Sequence, residues 1–146
     1  MCSWLEERIA DHDLDHERVK LFGTDEVLEE YQYSGYPLGY VVNYNESLHW
    51  LKAIFRPTQL LSRCIELDCD YLVIPSVFAA PTLLQNAEAQ NVKIWITGLE
   101  SAAEYVYFAK RRVKGFVTSE PQIARQAFEH AIPAGEQSEA AGMQSE

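Results

Sequence analysis

Long apolar runs are missing from this chain of 146 residues: nothing approaches the ~18 uninterrupted apolar positions a membrane-crossing helix requires. The opening MCSWLEERIADHD also lacks the basic start and apolar core of a secretory leader. A soluble, cytoplasmic protein without a membrane span is the expectation. Positive charge is scarce, with 12 Lys and Arg against 22 Asp and Glu and a formal charge of −10. A nucleic-acid surface needs clustered cations, so no nucleic-acid partner is expected. Cysteine is scarce too: Cys2, Cys64 and Cys69 are odd in number and form no CxxC pair. Idle or buried thiols in a reducing compartment follow. Histidine supplies no metal set either. In DHDLDH, His12 and His16 stand four apart among Asp11, Asp13 and Asp15, but Asp-rich stretches favour turns and a zinc site needs three or four ligands. No metal site and no resident cofactor are therefore expected.

What is present suffices for a core: 47% of the residues are hydrophobic and 12% aromatic. One domain over residues 1–130 is expected, followed by a small, polar, acidic tail over 131–146 that has no periodicity and reads as disordered. Ser3 can cap a first helix through Trp4, Leu5, Ile9 and Ala10. RVKLF, residues 18–22, reads as a strand, and Gly23-Thr24-Asp25 turns it into a helix with Thr24 as cap and Val27, Leu28 and Tyr31 inward. LGYVVN, residues 38–43, is the next strand, with Gly39 permitting a close neighbour. Residues 44–58 carry His49, Trp50, Lys52, Phe55 and Arg56. They read either as a pocket lid or, better, as a short amphipathic helix burying Leu48, Leu51 and Ile54. Pro57 breaks that element, and Thr58 caps a helix over 59–67 with Leu60, Leu61, Cys64 and Ile65 apolar.

The clearest stretch is 70–128: strand 71–75, helix 81–90, strand 93–97, helix 101–111, strand 115–118 and a last helix from Pro121. Short apolar strands without alternation, separated by helix-length crossovers, predict an α/β fold with a parallel sheet built from βα repeats.

Three segments within it, DYLVIP, KIWIT and VKGFVTSEP, resemble the closing section of the glycerophosphodiester phosphodiesterase family. That family ends in a strand of the form G-[I/V]-[I/F]-T-D-x-P preceded by one of the V-W-T-V-N type. Residues 18–27 resemble its R-V-x-x-S-F-D-P segment, and residues 37–42 its P-x-G-x-L-V strand. The resemblance runs over about residues 3–128. It implies a partial (β/α)8 barrel corresponding to the last five or so strands, since a whole barrel typically needs about 250 residues. The family hydrolyses glycerophosphodiesters in lipid metabolism with a divalent metal, and the residues for this lie on early strands that have no counterpart here. His12, His16, His49 and His130 are never followed by Arg-Gly, so the family's HRG motif is absent. Where the family has Asn after the Trp strand and Asp after the Thr, this chain has Gly98 and Ser119.

No catalytic residue is assigned. The pocket-lining candidates are Trp95, which the resemblance places in a substrate pocket, with Asn43, Thr97, Thr118, Ser119 and Glu120 at expected strand ends. Only Glu120 is ionised, and phosphodiester hydrolysis needs a metal clamp or an acid and base together. Glu120 also reads as helix capping beside Pro121. The expectation is a truncated or degenerate phosphodiesterase-like protein, inactive alone, whose open sheet is covered by a second copy or a partner chain. The alternative is a noncatalytic module holding an anion or partner at the strand ends around Asn43, Trp95 and Ser119. A fragment of a longer enzyme is the third possibility.

Overall fold

The computed structural model describes residues 3–12, 14–15, 19–42 and 57–131. The readings for Ser3 as a cap, His16, Asn43, the segment around His49 and Trp50, and the tail fall outside the described residues or side chains. The elements are α1 (Ser3–Asp11), β1 (Leu21–Gly23), α2 (Asp25–Tyr31), β2 (Leu38–Val41), α3 (Pro57–Glu66), β3 (Tyr71–Pro75), α4 (Pro81–Ala89), β4 (Lys93–Thr97), α5 (Ala102–Ala109), β5 (Gly115–Val117) and α6 (Pro121–Ala131). A single 3-10 turn, Ser76–Phe78, follows β3.

The sheet is five-stranded and wholly parallel, in the order β1-β2-β3-β4-β5. Each strand therefore sits beside its successor in the chain, and right-handed crossovers in one direction place the connecting helices on one face. Alternation then sorts the side chains. Leu38, Tyr40, Leu72, Ile74, Ile94 and Ile96 turn to the helices and form one core with Leu28, Leu60, Leu61, Cys64, Leu83 and Phe108. A smaller cluster of Tyr105, Ala124 and Ala127 joins α5 to α6, with Phe116 packed against both cores.

One inward assignment, that of Val27, is corrected, and the apolar Ile65 likewise turns outward. Val27 and Ile65 are each 45% exposed: both helices are narrow amphipathic rods, and Leu28 and Tyr31 on one, Leu60, Leu61 and Cys64 on the other, already fill the face toward the sheet. The start of α3 is also corrected. It begins at Pro57, where a missing N–H costs nothing, so Thr58 lies in the first turn and its carbonyl accepts from the Ser62 hydroxyl at 3.0 Å. The first strand is shorter than RVKLF and extends to Gly23.

Helix ends are turned toward the sheet by a device that lacks glycine. Asp68, Asn91 and Arg112 take positive φ of 55°, 58° and 63°. At α3 the Cys69 amide donates to the Cys64 carbonyl and the Asp68 amide to the Ile65 carbonyl, both at 3.0 Å. This is the paired bonding of a Schellman end, whose apolar contact falls between Cys64 and Cys69. At α4, Val92 bonds to Ala87 at 2.8 Å and Asn91 to Glu88 at 3.1 Å in the same pattern. The next residue then joins the sheet, Asp70 donating to Leu38 at 2.9 Å and Lys93 to Asp70 at 2.8 Å. Both cysteines are buried free thiols. Contact with the Cys69 thiol, together with burial, pushes the Cys64 thiol well above its ordinary range. A left-handed backbone strains any residue with a Cβ, and an anion at a helix C-terminus opposes the dipole. Asp68→Gly is therefore expected to raise the unfolding free energy by about 1 kcal/mol, read in a urea titration with unchanged slope.

Between the two helices, Arg63 ties α3 to α2. Its guanidinium donates to Asp25, to Glu29 at 2.6 Å and to Glu66 at 3.2 Å, and the Tyr40 hydroxyl donates to Asp25 at 3.1 Å. The network is about one-third exposed at Arg63 and Asp25, so solvent screens it and its contribution is modest.

Candidate functional site

The strand C-terminal ends, where a parallel α/β sheet usually carries its chemistry, are built from β4, β5 and the starts of α5 and α6. Thr118 follows β5 directly. Its Oγ1 accepts from the Glu120 amide at 2.8 Å and bonds the Tyr105 hydroxyl, which also reaches the Leu99 carbonyl at 3.4 Å. Glu120 accepts from the Ala124 amide at 3.3 Å and so opens α6. Thr118 thus shapes the turn into that helix and anchors it to α5. Ser119 and Glu120 are exposed, and Thr97 is half-buried at the end of β4.

The start of α5 is closed by its own sequence. Ser101 and Glu104 form a capping box: the Glu104 amide donates to Ser101 Oγ at 3.3 Å, and Glu104 Oε2 accepts from the Ser101 amide at 2.9 Å and the Glu100 amide at 3.0 Å. The Glu100 and Ser101 amides, just ahead of the helix, thus already face a carboxylate. Those amide bonds, from Glu100 first and then Ser101, hold the Glu104 carboxyl below the ordinary carboxylate range. Because its folded pKa is depressed, the stabilisation is complete above the unfolded value and is lost as pH falls through the folded one. Acid is thus expected to lower the protection of the Glu100 and Ser101 amides, taken as exchange relative to the intrinsic rate at each pH, and Glu104→Gln is expected to flatten that pH dependence.

Trp95 is not at the rim. It lies in the middle of β4, beside Val73 on one flank and Gly115 on the other, and points to the sheet face opposite the helices. There it meets Phe22 at 5.2 Å and Tyr71 at 5.6 Å between ring centroids, with Phe22 to Tyr71 at 5.8 Å. The Lys20 and Lys93 ammonium groups stand over the Tyr71 ring at 5.6 Å and 5.2 Å. Two glycines make the room. A Cβ at Gly115 would sit 2.7 Å from the Trp95 ring, and one at Gly39 would sit 2.2 Å from the Phe22 ring. Gly39 thus admits a close neighbour, and that neighbour is Phe22 across the β1–β2 register.

The structure therefore gathers Thr118, Ser119 and Glu120 at one turn, leaves Trp95 and Thr97 together on the opposite face, and does not describe Asn43. The aromatic triad with its two lysines is the more organised feature. Its members come from three strands that are 49 and 24 residues apart in the chain, from Phe22 to Tyr71 and from Tyr71 to Trp95. The available signal was alternation: Lys93 and Trp95 share one side of β4 and Tyr71 and Val73 one side of β3, whereas an apolar run invites no choice of face. Such a platform can stack an apolar or planar group and attract negative charge at its rim. No helix among the described residues is long and apolar enough to cross a membrane. Comparison with family models, with curated proteins and with solved structures finds no match to this chain.

Proposed function

We propose that this protein is a degenerate relative of the glycerophosphodiester phosphodiesterase barrel. In this reading it supplies a barrel wall, does not hydrolyse phosphodiesters alone, and works as an assembly with a second copy of itself. The observation that supports this most is the sheet order β1-β2-β3-β4-β5, in which every strand neighbours its successor. Unclosed, such a sheet presents two outer strands and one face away from the helices. Phe22 at 38% and Val117 at 51% exposure lie on that face, together with Trp95 and the two lysines. A second acidic copy is a suitable cover because those lysines offer charge complementarity where the aromatics offer area.

Attack of water on a phosphodiester needs charge stabilisation at the phosphoryl oxygens and a proton acceptor. Among the candidate rim residues, Thr118 is engaged in the turn and Glu120 is a solitary exposed carboxylate. The alternative of an anion held by helix N-termini at this rim gains less support, since Glu104 already sets a carboxylate against the Glu100 and Ser101 amides ahead of α5.

Light scattering at micromolar concentration is expected to give a dimer or larger, and Trp95→Ala with Phe22→Ser to shift it toward monomer. A clean monomer for the parent chain overturns the assembly. Turnover of a glycerophosphodiester that is abolished by Glu120→Gln overturns the non-hydrolytic part.

A further inference from the structure

The end of the sheet opposite the strand-end rim carries a cleft between α4 and the last turn of α5, about 290 Å3 in volume and continuous with a neighbouring hollow of about 230 Å3 through shared walls at Leu84, Glu88, Arg111 and Arg112. We infer that this cleft binds a small soluble polyanion of the diphosphate class. Its charge is out of keeping with the molecule. The chain has a net charge of −10, yet Lys93, Arg111, Arg112 and Lys114 line the larger hollow and Lys110 joins Arg111 and Arg112 in the smaller, with Glu88 the one carboxylate in either wall.

Cations at the end of a helix ordinarily answer the exposed carbonyls there. Of the four that follow α5, Lys110, Arg111, Arg112 and Lys114, one does so: Arg111 donates to the Tyr107 carbonyl at 3.1 Å, its guanidinium stacked 3.4 Å from the Tyr107 ring centre. That contact fixes the guanidinium plane and leaves further N–H groups to donate. Arg112 pairs with Glu88, so a single carboxylate is set against five cations, Lys93 among them. Among the described residues neither Lys110 nor Lys114 makes an ion pair.

The backbone that carries these cations is held in place. At Arg112 it takes a left-handed φ of 63° that turns the chain from α5 toward β5. At Lys114 the amide donates to the Ile94 carbonyl at 2.9 Å, where β5 joins the sheet. Val92 and Ile94, both buried, form the floor. The combined space is at the small end of ligand pockets, which suits two linked phosphate groups better than a nucleotide base or a sugar chain. Guanidinium forks match phosphate oxygens in pairs, and lysine adds point charge.

The test uses the full chain and inorganic diphosphate, with sulfate at matched ionic strength as the control for simple screening. Calorimetric titration is expected to show saturable binding of diphosphate and a rise in melting midpoint that sulfate does not reproduce. Arg111→Ala and Lys114→Ala are each expected to weaken binding severalfold, and the double variant by about tenfold or more. Glu88→Gln carries the opposite sign: it removes the one repelling charge and frees Arg112, so affinity rises severalfold. Arg125→Ala, a cation paired with Glu129 on α6, is expected to leave binding unchanged. All these side chains are exposed, so unaltered circular dichroism is expected for each variant. The proposal is overturned if diphosphate and sulfate act alike, if the double variant binds like the parent chain, or if Glu88→Gln weakens binding.

Discussion

Leu72→Ala is expected to lower the unfolding free energy by about 3–4 kcal/mol, the largest effect of any single truncation considered for this fold. Leu72 is fully buried on the central strand, flanked in register by Tyr40 on β2 and Ile94 on β4, and it turns toward the helix layer. Removing its isobutyl group leaves a hole whose walls are strand backbone and side chains already locked in the core, so collapse is limited. A domain of this size has about 5–15 kcal/mol in total, so the loss is a large fraction of it. The expected drop in melting midpoint is about 10 °C, measured by calorimetry or circular dichroism. Val117→Ala is the contrast. At 51% exposure on the edge strand it loses little burial, and its effect is expected within about 0.5 kcal/mol. Equal effects at the two sites would show that the helix-facing side is not the main core.

Gly115→Ala is expected to destabilise by about 1–3 kcal/mol although it adds one methyl group. The added Cβ would meet three atoms of the Trp95 indole at 2.7–2.8 Å. The ring cannot simply swing aside, since Phe22 and Tyr71 border it. Trp95→Leu in the same chain removes the obstructing ring, so the double variant should be less destabilised than the two single costs together. Denaturant melts of the four proteins of the cycle give that coupling directly. Additive effects would mean that Gly115 is needed for its backbone and not for the space above it. The same variant tests the proposed assembly, because displacement of Trp95 is expected to loosen self-association as well as the fold.

The alternation of strand and helix was legible because each element carries its own local signature. Residues 71–75 and 93–97 form strands with the bounds expected from YLVIP and KIWIT, and α4 opens at Pro81 as its sequence indicates. The capping pair Ser101 and Glu104 explains a sharp start to α5 at Ala102. Less was legible about faces. YLVIP is apolar throughout, so nothing local says that Tyr71 and Val73 turn one way and Leu72 and Ile74 the other. For α3, the Pro57 ring favours the first helical position where a reading of proline as a breaker ends the preceding element instead. Helix ends at Asp68, Asn91 and Arg112 also escape a search for glycine, because the bonding of the turn and the burial of the following residue outweigh the cost of a left-handed backbone.

By itself, then, the sequence determined the βα rhythm, the identity of the long central strands, a buried apolar core and the overall acidity. These depend on residues close together in the chain. Only the tertiary structure decided that the strands lie in chain order, that Trp95 leaves the rim to stack with Phe22 and Tyr71 over two glycines, and that Lys110, Arg111, Arg112 and Lys114 gather around Glu88. Neighbours in a parallel sheet are a helix apart in sequence, so the contacts that make a surface or a cleft arise only when hydrogen-bond register and right-handed crossover bring them side by side.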